Sequence, residues 1–161
     1  MQSELVGKRV LVVDDDIGFG KRLVNALKAA GAMAFGPALT TFQAECLLGR
    51  RRVDLALLDT SLYGKKSDDF AVDLRARAIP VMFMTEPGAP APAEALVQLP
   101  MIEKPVTLEA ALATIEGYLS ENRGHESLHV VNTPVRPRME QSPLHRLARC
   151  IAVNLERNAA Q

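Results

Sequence analysis

Carboxylate side chains in this sequence come directly after two apolar segments. Residues 10–13 (VLVV) are followed by three consecutive carboxylates, and residues 55–58 (LALL) are followed by Asp59. Carboxylates held this close repel one another, so a cation is needed to offset their charge. Clustered carboxylate oxygens are ligands that a hard divalent cation prefers. The sequence therefore predicts a divalent-cation site, with its first three acids at Asp14, Asp15 and Asp16.

Two further apolar segments each end in a side chain that could assist such a site. Residues 79–84 (IPVMFM) lead to Thr85, and residues 99–103 (LPMIE) lead to Lys104. Taken singly, each residue has an ordinary explanation as a turn residue or a surface lysine. Together with the acids they supply a nucleophile, metal ligands, a hydroxyl and an ammonium. Those groups are what a protein needs in order to receive a phosphoryl group.

The elements that position these residues alternate between strand and helix. The apolar segments lack polar alternation, which is typical of strands buried on both faces of a parallel sheet. Five such alternations predict an α/β fold with a parallel, doubly wound sheet, whose strand carboxyl ends share one ligand-binding edge. The predicted strands are 10–13, 32–35, 53–59, 79–84 and 99–103, the helices 17–30, 41–49, 67–78 and 107–119, with at most a short helix at 93–97. Gly36-Pro37 is expected to end the second strand, residues 60–66 to form a loop, and Thr41, Ser67 and Thr107 to cap helices.

The composition excludes several classes of partner. Lys plus Arg equals Asp plus Glu at 19 each, so nothing in the overall charge indicates nucleic acid or an anionic membrane surface. No apolar segment is long enough for a transmembrane helix, and none resembles a secretion signal. Cys46 and Cys150 show no metal-ligand spacing and are predicted to be reduced thiols. We therefore expect a cytoplasmic protein without a nucleic-acid or membrane partner.

The sequence changes character after residue 121. We predict a domain over 1–121, a polar linker or arm over 122–141, and an amphipathic helix over 142–158 that begins at Ser142-Pro143. An apolar stripe on this helix is expected to dock on the domain or to form a homodimer with a second copy. The stripe consists of Leu144, Leu147, Ala148, Ile151 and Leu155.

Four segments resemble, in order across residues 8–120, the receiver domain of two-component response regulators. They are VLVVDDD, DLALLDTSLYG, VMFMT and EKP. The resemblance implies a flavodoxin-like sheet of order 2-1-3-4-5 with helices on both faces. It also implies that Asp59 is the phosphoacceptor, that Thr85 hydrogen-bonds the phosphoryl oxygen, and that Lys104 pairs with the phosphoryl group. The Lys104-Pro105 peptide bond would be cis.

The same resemblance implies a Mg²⁺ site. Asp15 would bind the ion directly and Asp14 through water, with Asp59 and the backbone carbonyl of Ser61 as further ligands. Asp16 falls on a variable position beside the acid pair and is not assigned to the metal.

Some positions depart from the usual receiver pattern. Tyr63 replaces a proline, Met101 replaces the Tyr or Phe that rotates on activation, and Glu86 stands where a small residue is common. The interval from Thr85 to Lys104 is short, which predicts a shortened or missing fourth helix. The LYG sequence followed by a helix that begins at a serine, together with the short fourth segment, resembles a subgroup of stand-alone receivers.

The expected function is that of a stand-alone response regulator in a two-component system or phosphorelay. It would take a phosphoryl group from a sensor histidine kinase or a histidine phosphotransfer protein and signal through protein–protein contacts. It would be a phosphoacceptor that autophosphorylates and slowly autodephosphorylates, rather than a conventional enzyme. One alternative is a degenerate receiver acting as a phosphorylation-independent scaffold. Another is a metal-dependent phosphatase, a class that often has a second acid two residues after its nucleophile, where this chain has Ser61.

Overall fold

The computed structural model describes residues 3–122, all of which belong to one compact unit, Met1–Gly124. The strands are β1 (Arg9–Val13), β2 (Met33–Ala38), β3 (Leu55–Asp59), β4 (Ser61–Leu62), β5 (Lys65–Lys66), β6 (Val81–Thr85) and β7 (Met101–Glu103). The helices are α1 (Ile17–Ala29), α2 (Thr41–Leu48), α3 (Asp68–Ala76) and α4 (Leu108–Glu121). A single 3₁₀ turn spans Glu94–Leu96.

The main sheet has five parallel strands in the order β2-β1-β3-β6-β7. Counting these five in chain order gives 2-1-3-4-5, which confirms the predicted topology. Two apolar layers cover the sheet: one is built with α1 and α4, the other with α2 and α3. Every residue of β3 is buried, because the strand is covered on both faces.

The segment between β6 and β7 contains no α-helix. Its only helical residues are the 3₁₀ turn, whose Leu96 is fully buried against the sheet. Pro87, Pro90 and Pro92 lie in this segment, and proline supplies no backbone N–H for a helix. The predicted shortening of the fourth helix is confirmed.

Two local predictions about β2 and α2 are wrong. Strand β2 does not end at Gly36-Pro37 but continues to Ala38, with a register shift in its pairing to β1. An edge strand tolerates proline because its outer side needs no ladder hydrogen bond. Gly36 has φ +115° and lies so close to β1 that an added Cβ would be 2.4 Å from the Val12 carbonyl oxygen. Helix α2 is capped by Thr40 rather than Thr41: the Thr40 hydroxyl accepts a 3.1 Å hydrogen bond from the Gln43 amide.

The predicted loop after β3 is a β-hairpin. Strands β4 and β5 pair antiparallel around a two-residue turn formed by Tyr63 and Gly64. Both turn residues have positive φ, 51° and 74°, as a type I′ turn requires. The hairpin folds this segment back beside the carboxyl end of β3.

The remaining predictions concern the cysteines, the region after residue 121 and membrane-spanning helices. Cys46 on α2 is disulfide-bonded, so the prediction that both cysteines are reduced is wrong for this residue. Apart from Asn122, the predicted linker and the helix over 142–158 lie outside the described residues, so the domain boundaries and the homodimer stay predictions. Within residues 3–122, no helix is both long and apolar enough to cross a membrane.

Candidate functional site

The carboxyl ends of four strands bring the predicted site residues to one edge of the sheet. Asp14 follows β1, Asp59 ends β3, Thr85 ends β6 and Lys104 follows β7. The parallel register places these ends side by side, because Asp59 pairs with Met84, and Thr85 in turn with Glu103. The position of each residue therefore follows directly from the sheet topology.

Three carboxylates form the centre of this edge. One carboxylate oxygen from each of Asp14, Asp15 and Asp59 lies within 4.8 Å of the others. Asp14 is fully buried and Asp59 nearly so, whereas Asp15 is partly exposed. Their mutual repulsion is strongest where water is excluded, so this cluster requires nearby positive charge.

Lys104, which follows β7, supplies one such charge. Its Nζ donates hydrogen bonds of 2.8 Å to Asp14 Oδ2 and 2.5 Å to Asp59 Oδ2. The ammonium also lies 5.2 Å from the centroid of the Phe19 ring, a distance at which a cation is attracted to an aromatic face. One ammonium faces three carboxylates, so the cluster as a whole keeps a negative charge.

The pKa values of the buried pair reflect this balance. Burial raises the pKa of Asp14 above its ordinary value, and the hydrogen bond and charge of Lys104 oppose that effect only in part. Burial alone would lower the pKa of Lys104. The hydrogen bonds that Lys104 donates to Asp14 and Asp59, together with the negative charges of these two carboxylates, outweigh burial, so the pKa of Lys104 is raised. The ammonium therefore stays charged at neutral pH.

Backbone amides hold each carboxylate in a fixed orientation. Asp59 Oδ1 accepts a 2.9 Å hydrogen bond from the Ser61 amide. Asp15 Oδ2 accepts one of 2.7 Å from the amide of Tyr63, at the tip of the β4–β5 hairpin. The Asp16 amide donates to Asp14 Oδ1 at 2.8 Å. The hairpin thus positions two of the three carboxylates, a role that the loop prediction did not include.

Asp16 caps a helix, unlike the neighbouring Asp14 and Asp15. Its side chain is the N-cap of α1, where Oδ1 accepts a 2.9 Å hydrogen bond from the Phe19 amide. A capping carboxylate is committed to the helix terminus, which agrees with leaving Asp16 out of the predicted ligand set.

The chemistry of the donor set fits Mg²⁺. The converging donors are all oxygens, and Mg²⁺ prefers carboxylate and carbonyl oxygens to nitrogen or sulfur. In a hairpin with a two-residue turn, the residues flanking the turn form the hydrogen-bonded pair. Those residues are Leu62 and Lys65, so Ser61 lies one position further along, where its carbonyl is not used by the ladder. The three carboxylates are close enough to share one ion, and the hairpin ladder leaves the Ser61 carbonyl unused.

A cleft with a volume of about 400 Å³ opens above the carboxylates. Its walls come from the ends of β1 and β3, the hairpin, and the loop after β6. The lining residues are Asp15, Asp59, Thr60, Ser61, Gly64, Glu86, Pro87, Gly88, Ala89 and Pro90. Glu86 is exposed there, so a negative side chain stands at the entrance of an already acidic cleft. Access by an anionic group therefore depends on cations within the cleft.

Two buried hydroxyl groups beside Asp59 were not predicted as site residues. The Ser67 hydroxyl does not cap α3 as expected but donates a 2.5 Å hydrogen bond to the Asp59 carbonyl. The Thr60 hydroxyl donates a 3.3 Å hydrogen bond to Thr85 Oγ1. Both side chains are at most 3% exposed. The only signal in the sequence was a polar residue next to Asp59 and another at a helix start, positions where such residues are common.

Two further expectations concern β7 and the residue that follows it. The Lys104-Pro105 peptide bond is cis, as the resemblance implied. Met101 at the start of β7 is 39% exposed, so the position that usually carries an aromatic side chain holds an accessible thioether instead.

No protein-family model and no curated protein matches the chain. Solved structures do. The chain is similar to the N-terminal domain of a response regulator/sensory box/GGDEF 3-domain protein from Carboxydothermus hydrogenoformans, with 26% identity and a TM-score of 0.64 over 74% of this chain and 99% of the other. It is also similar to a CheY-like response regulator receiver domain protein from Methanospirillum hungatei JF-1, with 22% identity and a TM-score of 0.63 over 74% and 98%.

A third similar structure is the REC domain of the PhyR response regulator from Erythrobacter litoralis. It shares 22% identity with a TM-score of 0.58, over 82% of this chain and 98% of that domain. Nearly the whole length of each of these three structures is matched. The chain therefore has the fold of response regulator receiver domains.

Proposed function

We propose that this chain, with its receiver-domain fold, accepts a phosphoryl group on Asp59 in a two-component system or phosphorelay. The phosphoryl donor is a phosphohistidine on a sensor histidine kinase or on a histidine phosphotransfer protein. Mg²⁺ held by Asp14, Asp15, Asp59 and the Ser61 carbonyl is the cofactor. The phosphorylated protein signals through protein–protein contacts in the cytoplasm.

One observation carries the proposal. Lys104 bridges Asp14 and Asp59, and the Asp59 and Asp15 carboxylates line an open cleft. A purely structural buried pair would need one carboxylate, whereas this edge keeps three next to a single ammonium. The three carboxylates therefore keep a net negative charge that a divalent cation would neutralise. The Asp59 carboxylate, which is the proposed nucleophile, faces the cleft.

The residues of the chain account for the steps of phosphoryl transfer. An Asp59 carboxylate oxygen attacks phosphorus, forming the P–O bond as the P–N bond to the donor imidazole breaks. The imidazole leaves with the electron pair and takes up a proton. Bound Mg²⁺ supplies charge neutralisation of the acceptor carboxylate and the phosphoryl oxygens. Lys104 is a flexible point charge that can leave Asp59 Oδ2 and pair with the new phosphoryl group.

Thr85 completes the set as a hydrogen-bond donor to the phosphoryl oxygen. Its hydroxyl stands at the end of β6, beside the acceptor strand β3. Phosphorylation replaces a carboxylate by a larger and more anionic group, which draws nearby donors toward it. The loop after β6 begins at the next residue, Glu86, so a shift of Thr85 is passed directly to that loop.

A second candidate is a scaffold that does not depend on phosphorylation. The exposed Met101 and the 3₁₀ turn that replaces a helix favour it, because both alter the region next to β7. On that account the acid cluster persists without phosphoryl transfer. The two functions differ in whether Asp59 accepts a phosphoryl group at all.

Metal-dependent phosphorylation by a small-molecule donor tests the proposal. The protein is incubated with acetyl phosphate and Mg²⁺, and its intact mass is measured with and without excess chelator. We expect a gain of one phosphoryl group that chelation abolishes, because the uncompensated carboxylates would repel the anionic donor. A folded protein that gains no mass under either condition would reject phosphoryl transfer in favour of the scaffold.

A further inference from the structure

Thr60 is a buried hydroxyl residue held rigidly beside the proposed acceptor. Its amide donates a 2.9 Å hydrogen bond to the Met84 carbonyl, and its own carbonyl accepts one of 3.1 Å from the Ser67 amide. Only 3% of the residue is exposed. Because its backbone is fixed on both sides and its side chain is enclosed, the Thr60 hydroxyl can reach few partners.

The partner that it does reach is Thr85. Thr60 Oγ1 donates to Thr85 Oγ1 at 3.3 Å, and Thr85 Oγ1 donates to the Glu86 carbonyl at 3.4 Å. A hydroxyl carries one proton, so accepting from Thr60 leaves the Thr85 proton available for another acceptor. Both hydrogen bonds are longer than a typical O–H···O bond, and the bond to Glu86 is also exposed to water, so it is the weaker of the two. An anionic oxygen would be a much stronger acceptor for the same proton.

We propose that Thr60 is a positioning residue that orients the Thr85 hydroxyl as a donor to the phosphoryl group on Asp59. The inference rests on the proposed function and adds a residue to it. With Thr60 donating, the hydrogen bonds run in one direction, from Thr60 through Thr85 to the phosphoryl oxygen. Hydrogen bonds aligned in this way polarise one another, so the last one is strengthened.

A double-mutant cycle measures this coupling. Thr60→Val and Thr85→Val each replace the hydroxyl by a methyl of similar size, and the cycle compares both single variants with the double variant. The probe is beryllium trifluoride, a phosphoryl analogue that binds an aspartate oxygen in the presence of Mg²⁺. Its dissociation constant is followed by NMR titration. We expect Thr60→Val to weaken binding about threefold to tenfold when Thr85 is intact, as expected for one net hydrogen bond.

In the Thr85→Val background the same Thr60→Val change should alter the dissociation constant by less than about twofold. A role in packing alone would give equal factors in both backgrounds, and that result would overturn the inference. Thr60→Ser keeps the donor and is expected to recover most of the affinity. If Thr60→Val does not fold, Thr60→Ala takes its place in the cycle.

A matched control removes a hydroxyl remote from the site. Thr114 on α4 is exposed and donates to the Ala110 carbonyl at 2.9 Å, so Thr114→Val should leave beryllium trifluoride affinity unchanged. The acetyl phosphate experiment separates the two failures. Wild-type protein that is phosphorylated but shows an additive cycle refutes only the role of Thr60. Wild-type protein that neither gains mass nor binds beryllium trifluoride would refute both the proposed function and the role of Thr60.

Discussion

Asp59→Asn is expected to abolish the mass gain from acetyl phosphate while the protein stays folded. The carboxamide has nearly the shape of the carboxylate, and its oxygen can still accept the hydrogen bond from the Ser61 amide. It lacks the negative charge that makes a carboxylate oxygen nucleophilic toward phosphorus. Lys104 keeps its 2.8 Å hydrogen bond to Asp14, so this buried ion pair remains intact. Intact-protein mass and urea unfolding measure the two effects separately.

Asp69→Asn is the matched control for this substitution. Asp69 lies exposed in the first turn of α3, so its replacement removes the same charge outside the acid cluster. The control should gain one phosphoryl group as the wild type does. A full mass gain in Asp59→Asn would mean that another side chain is the acceptor, and the assignment of Asp59 would be wrong.

Lys104→Met is expected to lower the free energy of unfolding by about 3 kcal/mol in the absence of divalent cations. Methionine has a similar length and fills the space beside Phe19, but it removes the ammonium from two buried carboxylates. Removing one partner of a buried ion pair is costly because the remaining charge stays uncompensated. Urea denaturation monitored by circular dichroism measures the change.

Mg²⁺ should restore part of the stability of Lys104→Met, because the cation supplies the positive charge that the variant lost. The control is Lys66→Met, which removes an exposed ammonium 4.0 Å from Asp68 and should cost less than about 1 kcal/mol. Equal destabilisation of both variants would contradict the structural account. So would a Lys104→Met protein whose stability is unaffected by Mg²⁺.

The sheet and the position of the acid cluster were predictable because both follow from one pattern. Apolar segments without polar alternation indicate strands buried on both faces, and parallel strands of this kind end at a common edge. Asp14, Asp59, Thr85 and Lys104 come directly after such segments or end them. No side-chain contact had to be known to place them together, since the backbone topology alone does so.

The hairpin and the continuation of β2 were not predictable, because tertiary contacts override local preference there. Tyr63 adopts a positive φ that a bulky residue rarely takes, and its amide is held by Asp15, far away in sequence. Gly36-Pro37 resembles a strand end, yet the pairing of β2 with β1 carries the strand past it. The hydroxyls of Thr60 and Ser67 gain their roles from partners that only the fold brings near.

The central claim is that Asp59 carries the phosphoryl group, and chemical trapping tests it most directly. Borohydride reduces an aspartyl phosphate to homoserine, so protein treated with acetyl phosphate and Mg²⁺, then reduced and digested, reports the acceptor by peptide mass. We expect homoserine at position 59 and at no other aspartate, with none formed when Mg²⁺ is chelated. Homoserine at Asp14 or Asp15, or a phosphoryl group that survives reduction on a serine or threonine, would contradict the account.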